Sequence, residues 1–258
     1  MKLFNNETIF LSRDKNKATS FIKQFEQLGG RVIAAPLISF TQWKRDENKS
    51  IIEKIDQYDW IIFTSINGVH FFFKTCEEYG LSVDDLKQYS HIRYGAVGTK
   101  TEEALKQYSF SASFVPSVFD ADHFSVQFLK QHHPNYPLLV KGNLARDVID
   151  QTFNDRDIPF DTMYVYRTEM NNDLNLEEIY TQHEIDYYCF TSPSSIEAFI
   201  QLYKGVLQAE LNKPCFCIGE TTKSKAKQVG FSNIFIPNEY TLDGLANLII
   251  ECKERGQI

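Results

Sequence analysis

The chain is short of several things, and each shortage excludes a class. Its five cysteines, at 76, 189, 215, 217 and 252, are an odd number spread over 258 residues. That excludes a disulfide scaffold and fits buried thiols in a reducing compartment. Cys215 and Cys217 fall in a predicted strand and are read as facing opposite ways, which makes them a poor metal pair. None of the six histidines has a partner four residues on or a cysteine in metal-ligand spacing, so no metal is expected. Nothing approaches the roughly eighteen apolar residues of a membrane span. The apolar run at 8–11 is too short for a signal-peptide core, so the expected compartment is the cytoplasm. Basic charge is in deficit, with 27 Lys and Arg against 34 Asp and Glu, a net −7. A nucleic-acid binder would need a basic stripe to displace phosphate counterions. No G-x-G-x-x-G follows a strand and there is no Walker loop, so no nucleotide cofactor is expected. No G-x-S-x-G elbow supports a serine hydrolase.

What is present is a globular pattern, 43% apolar and 24% charged, with 21 Phe and 13 Tyr. Short apolar runs alternate with amphipathic segments, the mark of βαβ units and parallel sheets. Strands are predicted at 8–11, 31–35, 60–63, 93–97, 112–115, 138–140, 160–166, 187–190, 216–218 and 234–236. A helix over 14–28 buries Phe21, Ile22 and Phe25 and stops at Gly29-Gly30. A predominantly polar stretch follows at 169–175.

One unit occurs twice. Phe63-Thr64-Ser65-Ile66-Asn67 matches Phe190-Thr191-Ser192-Pro193-Ser194, and Ala96-Val97-Gly98-Thr99-Lys100-Thr101 matches Cys217-Ile218-Gly219-Glu220-Thr221-Thr222. Gly98 to Pro116 is a step of 18, as is Gly219 to Pro237; Pro116 to Asp122 is a step of 6, as is Pro237 to Asp243. The middle copy has two strands after the matched block. The outer copy has none after it, so its remaining strands must be 8–11 and 31–35. The outer domain is therefore expected to be discontinuous, residues 1–36 with 172–258, around an inserted domain at 41–163. The two crossings, 36–40 and 164–171, are expected to pair as an antiparallel ribbon beside a cleft.

In open α/β sheets ligands gather beyond the carboxyl ends of the strands. The matched motifs fall there, each a strand end, then hydroxyls, then a helix start. A Ser or Thr there can cap its helix. The alternative is anion binding, since a helix start exposes N–H donors and partial positive charge, and glycine admits a close ligand. Lys141-Gly142-Asn143 resembles a further such loop, with Arg146 just after it; Arg13 follows the first strand. Tyr164 and Tyr166 flank Val165 on the second crossing and are read as sharing one face. A tyrosine there can donate a proton or hydrogen bond to a ligand, or be a packed core aromatic.

These motifs, in order, resemble the uroporphyrinogen-III synthase family. They include Leu11-Ser12-Arg13, Pro36-Leu37-Ile38, Phe63-Thr64-Ser65, Val97-Gly98 with Thr101, Lys141-Gly142-Asn143, Val165-Tyr166-Arg167-Thr168, Phe190-Thr191-Ser192-Pro193-Ser194 and Ile218-Gly219 with Thr222. The resemblance implies two flavodoxin-like parallel-sheet domains joined by a two-stranded antiparallel connector. It implies a cofactor-free hydro-lyase of haem biosynthesis. The substrate would be hydroxymethylbilane, a linear tetrapyrrole with eight carboxylates, cyclised with loss of water and inversion of the last ring, through a spiro intermediate, to uroporphyrinogen III. The family's connector tyrosine falls on Tyr166, which would be the catalytic general acid that helps the hydroxyl leave. Substrate binding would fall on Arg13, Ser65, Asn67, Gly98, Thr101, Lys141, Asn143, Ser192, Ser194, Gly219 and Thr222. Lys141 stands where Arg is usual, which removes a bidentate grip. Glu220 stands where a neutral residue is usual and is expected to face solvent. A monomer without nucleic-acid or membrane partners is expected. The competing readings are a non-catalytic intracellular two-domain protein that closes on a small polyanion, and a sugar-nucleotide transferase, for which the chain is short.

Overall fold

The computed structural model describes residues 2–203 and 207–258. The chain divides into two compact units, residues 1–39 with 170–258, and residues 40–169. In chain order the first segment holds β1 (Thr8–Leu11), α1 (Thr19–Gln27) and β2 (Arg31–Ala34). Next come β3 (Ile38–Gln42), α2 (Asp46–Glu53), β4 (Trp60–Phe63), α3 (Ile66–Glu78), α4 (Val83–Gln88) and β5 (Arg93–Ala96). After them come α5 (Thr99–Gln107), α6 (Ala121–Gln131), β6 (Pro137–Gly142), α7 (Val148–Asn154) and β7 (Asp161–Met170). The chain then adds α8 (Leu176–Gln182), β8 (Tyr187–Phe190), α9 (Pro193–Leu202), α10 (Leu207–Leu211), β9 (Cys215–Cys217), α11 (Glu220–Val229), β10 (Ile234–Phe235) and α12 (Leu242–Glu254).

The first unit's sheet runs β10-β9-β8-β1-β2 with every pair parallel. Both faces are covered, so β1, β8 and β9 are buried along their whole length rather than alternating with exposed residues. Ile9, Leu11, Tyr187, Cys189 and Phe216 join α1 and α12 in one core; Phe10, Tyr188, Phe190, Cys215 and Cys217 join Phe199 of α9 in the other. Residues two apart on a strand share a face. The opposite-face reading of Cys215 and Cys217 is therefore corrected: their sulfurs lie 3.8 Å apart in one core.

The second unit's sheet runs β3-β7-β6-β4-β5. The four strands after β3 are parallel. β3 is an edge strand: Trp43 N donates to Val165 O at 2.9 Å and Asn171 N to Leu37 O at 2.9 Å. Numbering rises on one strand as it falls on the other, so this pair is antiparallel and the sheet is mixed. Ile61, Phe63, Leu138 and Val140 pack toward α3; Trp60, Ile62 and Leu139 pack toward Phe128 and Phe153 of α6 and α7. Each fully buried Phe contributes about 1.5–3 kcal/mol.

The strand expected at 112–115 reduces to one bridge, Phe114 to Gly95. Its counterpart β10 is only two residues long. Pro116 and Pro237 follow closely in both copies, and a proline has no N–H with which to extend a ladder.

Candidate functional site

Four helices begin at the carboxyl ends of strands in matched positions. Two carry their own caps. Ser65 Oγ accepts from Gly68 N at 3.0 Å at the start of α3, and Ser192 Oγ accepts from Ser195 N at 3.1 Å at the start of α9. The other two, α5 and α11, start at Gly98 and Gly219, and neither has a side-chain cap. Among the described residues, the N–H groups of Thr99, Lys100, Glu220 and Thr221 have no partner in the chain. Thr101 and Thr222, one position further in, are 6% and 1% exposed, and neither hydroxyl makes a hydrogen bond among the described residues. These two starts are where an anion would meet unsatisfied donors.

Both glycines are extended, at φ −160° and −173°, a conformation open to any residue. Close approach explains them better. A Cβ on Gly98 would stand 3.3 Å from Phe119 Cβ, and one on Gly219 would stand 3.1 Å from the Tyr240 ring. Glu220 is largely exposed beside Lys223 at 3.8 Å, which offsets its charge near the α11 start.

Tyr166 was expected on the same face as Tyr164, and the structure corrects this. The β6–β7 register slips between Lys141, opposite Tyr164, and Gly142, opposite Tyr166. The extra residue is a β-bulge, which re-aims the side chains that follow it. Met163, Val165 and Tyr166 all lie in the α3-side core. Tyr164 instead meets Trp43, at 5.7 Å between ring centroids, and the Lys141 ammonium, at 5.9 Å. Tyr166 stacks on Phe71 at 5.6 Å and its hydroxyl lies 3.0 Å from Ser65 Oγ. A Cβ on Gly142 would stand 2.3 Å from Tyr166 Cζ, so the absent side chain is what makes room for the ring. Burial raises the phenol's pKa, partly offset by the Ser65 hydrogen bond, so the group is neutral and proton-bearing at physiological pH.

Lys141 does not offer its charge to a ligand. It is 1% exposed, and its ammonium lies 2.7 Å from both Asp147 Oδ1 and Asp150 Oδ2. Burial alone would lower its pKa, but the two carboxylates together raise it. Asn143 is committed as well: its Oδ1 accepts from Thr168 N at 2.7 Å and its Nδ2 donates to Thr168 O at 3.3 Å. Together they brace the strand ends around Tyr166. Arg146 pairs with Asp122 at 3.2 Å. Asn67 is half-buried without a hydrogen bond among the described residues.

In the first unit Ser192 Oγ also meets Ser194 Oγ at 3.0 Å. Ser12, at the end of β1, donates to Ser195 Oγ at 3.2 Å and accepts from Thr191 N at 3.0 Å. Arg13 Nε is buried without a partner. Ser12, Gly142, Phe119 and Tyr240 were missed as organisers of the strand ends. The repeat held the signal for the last two: Gly98 to Phe119 and Gly219 to Tyr240 are both steps of 21. A 360 Å³ concavity whose lining includes Phe73, Lys74, Glu77 and Tyr108 contains none of the matched-motif residues.

A family model described as uroporphyrinogen-III synthase HemD matches residues 19–247. The chain belongs to the uroporphyrinogen-III synthase family. It is 27% identical over 247 residues to a porphyrin biosynthesis protein HemD of Ruminiclostridium josui, covering 94% of this chain and 48% of that relative. The chain thus spans about half the length of that protein. It is 23% identical over 252 residues to a uroporphyrinogen-III synthase of Chlorobaculum parvum, covering 95% of this chain and 98% of that one. The fold is shared with a mutant uroporphyrinogen III synthase from the extreme thermophile Thermus thermophilus, with a TM-score of 0.70, 17% identity, and coverage of 97% of this chain and 99% of that one. It is likewise shared with the synthetase from Helicobacter pylori, with a TM-score of 0.64, 18% identity, and coverage of 95% and 99%. Among the described residues of this family member, no helix is long and apolar enough to cross a membrane.

Proposed function

We propose that this chain is a uroporphyrinogen-III synthase, converting hydroxymethylbilane to uroporphyrinogen III in haem biosynthesis. Family membership supports the reaction class. The observation that carries it in this chain lies in the second unit, where the uncapped helix start at Gly98 and a proton-bearing Tyr166 share one strand edge; the first unit repeats such a start at Gly219. The substrate is a flexible chain of pyrroles with acidic arms. Main-chain donors suit its carboxylates without a net basic charge, because distant surface acids are screened within about 8 Å at physiological salt. Thr101 and Thr222 add hydroxyls to those starts, and Asn67, Ser194 and Arg13 stand near the neighbouring strand ends. Lys141 and Asn143 act by bracing.

The bilane closes unaided without inverting its last ring. The protein's main work is therefore to hold the chain ends where inversion is favoured, by positioning and by binding the transition state best. In the step that needs help, the hydroxymethyl C–O bond breaks and the oxygen leaves as water. Tyr166 donates a hydrogen bond to that oxygen, and Ser65 steadies the phenol. The phenol keeps its proton at neutral pH and passes it to the oxygen as the C–O bond breaks, acting as a general acid, because departing hydroxide is far more basic than a phenolate. The proton that completes the water is balanced by the one lost from pyrrole carbon when the new C–C bond forms. No cofactor enters.

The same reading takes the two sheets as flavodoxin-like domains. Ordered by use, the first unit reads 2-1-3-4-5, which supports it. The domains would be 1–36 with 172–258, and 41–163. β3 and β7 would serve as the connector at 36–40 and 164–171. The protein would act as a cytoplasmic monomer without nucleic acid. The non-catalytic binding alternative draws no support from the relatives, which carry synthase or porphyrin-biosynthesis names.

Purified protein supplied with hydroxymethylbilane is expected to give the type III isomer, resolved chromatographically after oxidation to porphyrin. Type I alone would end the assignment.

A further inference from the structure

Phe119 and Tyr240 are the most exposed aromatics among the large apolar residues, at 58% and 54%. Each stands one residue before the capping residue of the helix that follows, Asp120 for α6 and Thr241 for α12. An apolar side chain at that position ordinarily staples onto the fourth helical residue, here Phe124 or Leu245. A staple would bury the ring. Instead each residue reaches back across an uncapped helix start, onto Gly98 or Gly219, and leaves more than half its surface in water. Among the described residues neither ring stacks on another, and the Tyr240 hydroxyl makes no hydrogen bond.

The same arrangement occurs in both units at the same spacing, although one residue is Phe and the other Tyr. It occurs at the starts of the helices that carry Thr101 and Thr222, two nearly buried residues whose hydroxyls make no hydrogen bond among the described residues. An aromatic face next to unsatisfied donors matches a ligand whose own units are aromatic rings bearing carboxylates.

We infer that Phe119 and Tyr240 are positioning residues that each seat one pyrrole face of the substrate, while that ring's carboxylates reach the donors at the start of α5 or α11. This rests on the synthase reading. The feature common to both copies is the ring, so the tyrosine hydroxyl is dispensable. A seat of this kind contributes to binding in ground and transition states alike, so its loss raises KM and leaves kcat in place.

The test is steady-state kinetics on freshly generated hydroxymethylbilane, with isomer analysis and thermal melts, for wild type, Phe119→Ala, Tyr240→Ala, the double variant, Phe119→Tyr and Tyr240→Phe. Each alanine variant is expected to raise KM about five-fold, from the usual worth of an aromatic pair. The double variant should multiply the two effects, and the aromatic replacements should behave as wild type. Melting temperatures should hold, because the rings are exposed. Wild-type formation of type III with unchanged KM in both alanine variants overturns the inference and leaves the synthase reading standing. So does a fall in melting temperature without a change in KM, which would mark the residues as staples. Wild type yielding only type I overturns both.

Discussion

Ser192 and Ser65 cap matched helices at the ends of matched strands, yet their hydroxyls turn to different company. In the first unit Ser192 meets only serines, and Ser12 and Ser195 tie β1 to the helix start. In the second, Ser65 meets the phenol of Tyr166. Register makes the comparison concrete. Leu11 pairs with Cys189, so Ser12 stands beside Phe190 as Val140 stands beside Phe63. One step on, Arg13 is the counterpart of Lys141. In the first unit the cation is half-exposed with an unpartnered Nε; in the second it is locked inside by two aspartates. The duplicated scaffold repeats the glycine-led helix starts that carry no side-chain cap. Among the described residues the bulge, the ammonium clamp and the tyrosine–serine contact belong to the second unit, and the proposed proton donor lies with them.

The largest expected break in that comparison is at the cations. Lys141→Met would leave Asp150 half-buried and unpaired. Its loss of stability in urea unfolding is expected at about 3–5 kcal/mol, against less than about 1 kcal/mol for Arg13→Met. The pKa of Lys141 is raised on folding, so its contribution is complete below the unfolded value of about 10.4 and fades as pH climbs through the folded one. Wild type should therefore lose this part of its stability only as pH rises through the folded value, and the Met variant should lack that dependence.

Next is Tyr166→Phe. Turnover is expected to fall about a hundredfold, while stability drops by about 1 kcal/mol, the worth of one hydrogen bond. Unchanged turnover would remove Tyr166 from the chemistry and make the two units functionally alike. The smallest effect sharpens the contrast. Ser65→Ala and Ser192→Ala should each lose a cap worth about 1 kcal/mol, but only Ser65→Ala should lower turnover by more than its stability loss explains. Paired melts and kinetics would show it; equal losses would refute the asymmetry.

The strand cores were legible because apolar runs bounded by turns carry their own period. The runs at 60–63 and 187–190 agree with β4 and β8 residue for residue. The matched motifs were legible as helix starts for the same local reason. What escaped was set by partners distant in sequence. A bulge depends on two strands, so Tyr166 was read on the wrong face. The sequence places Lys141 among substrate-binding residues by resemblance alone, because its clamp forms only when α7 folds back over β6. The two thiols were misjudged through the strand period itself, which places residues two apart together.

The first strand pairs with a segment far down the chain: Thr8 N meets Asp186 Oδ2 at 2.7 Å across 178 residues. At a synthesis rate of about 5–20 residues per second, β1 and β2 leave the ribosome roughly 10–35 seconds before β8 exists. Throughout that interval the buried run Thr-Ile-Phe-Leu has one neighbour strand and an open edge. The 40–169 unit, made without interruption, is complete before its host sheet can close. The nascent chain thus carries an unpaired apolar strand edge until the last third of the chain is made.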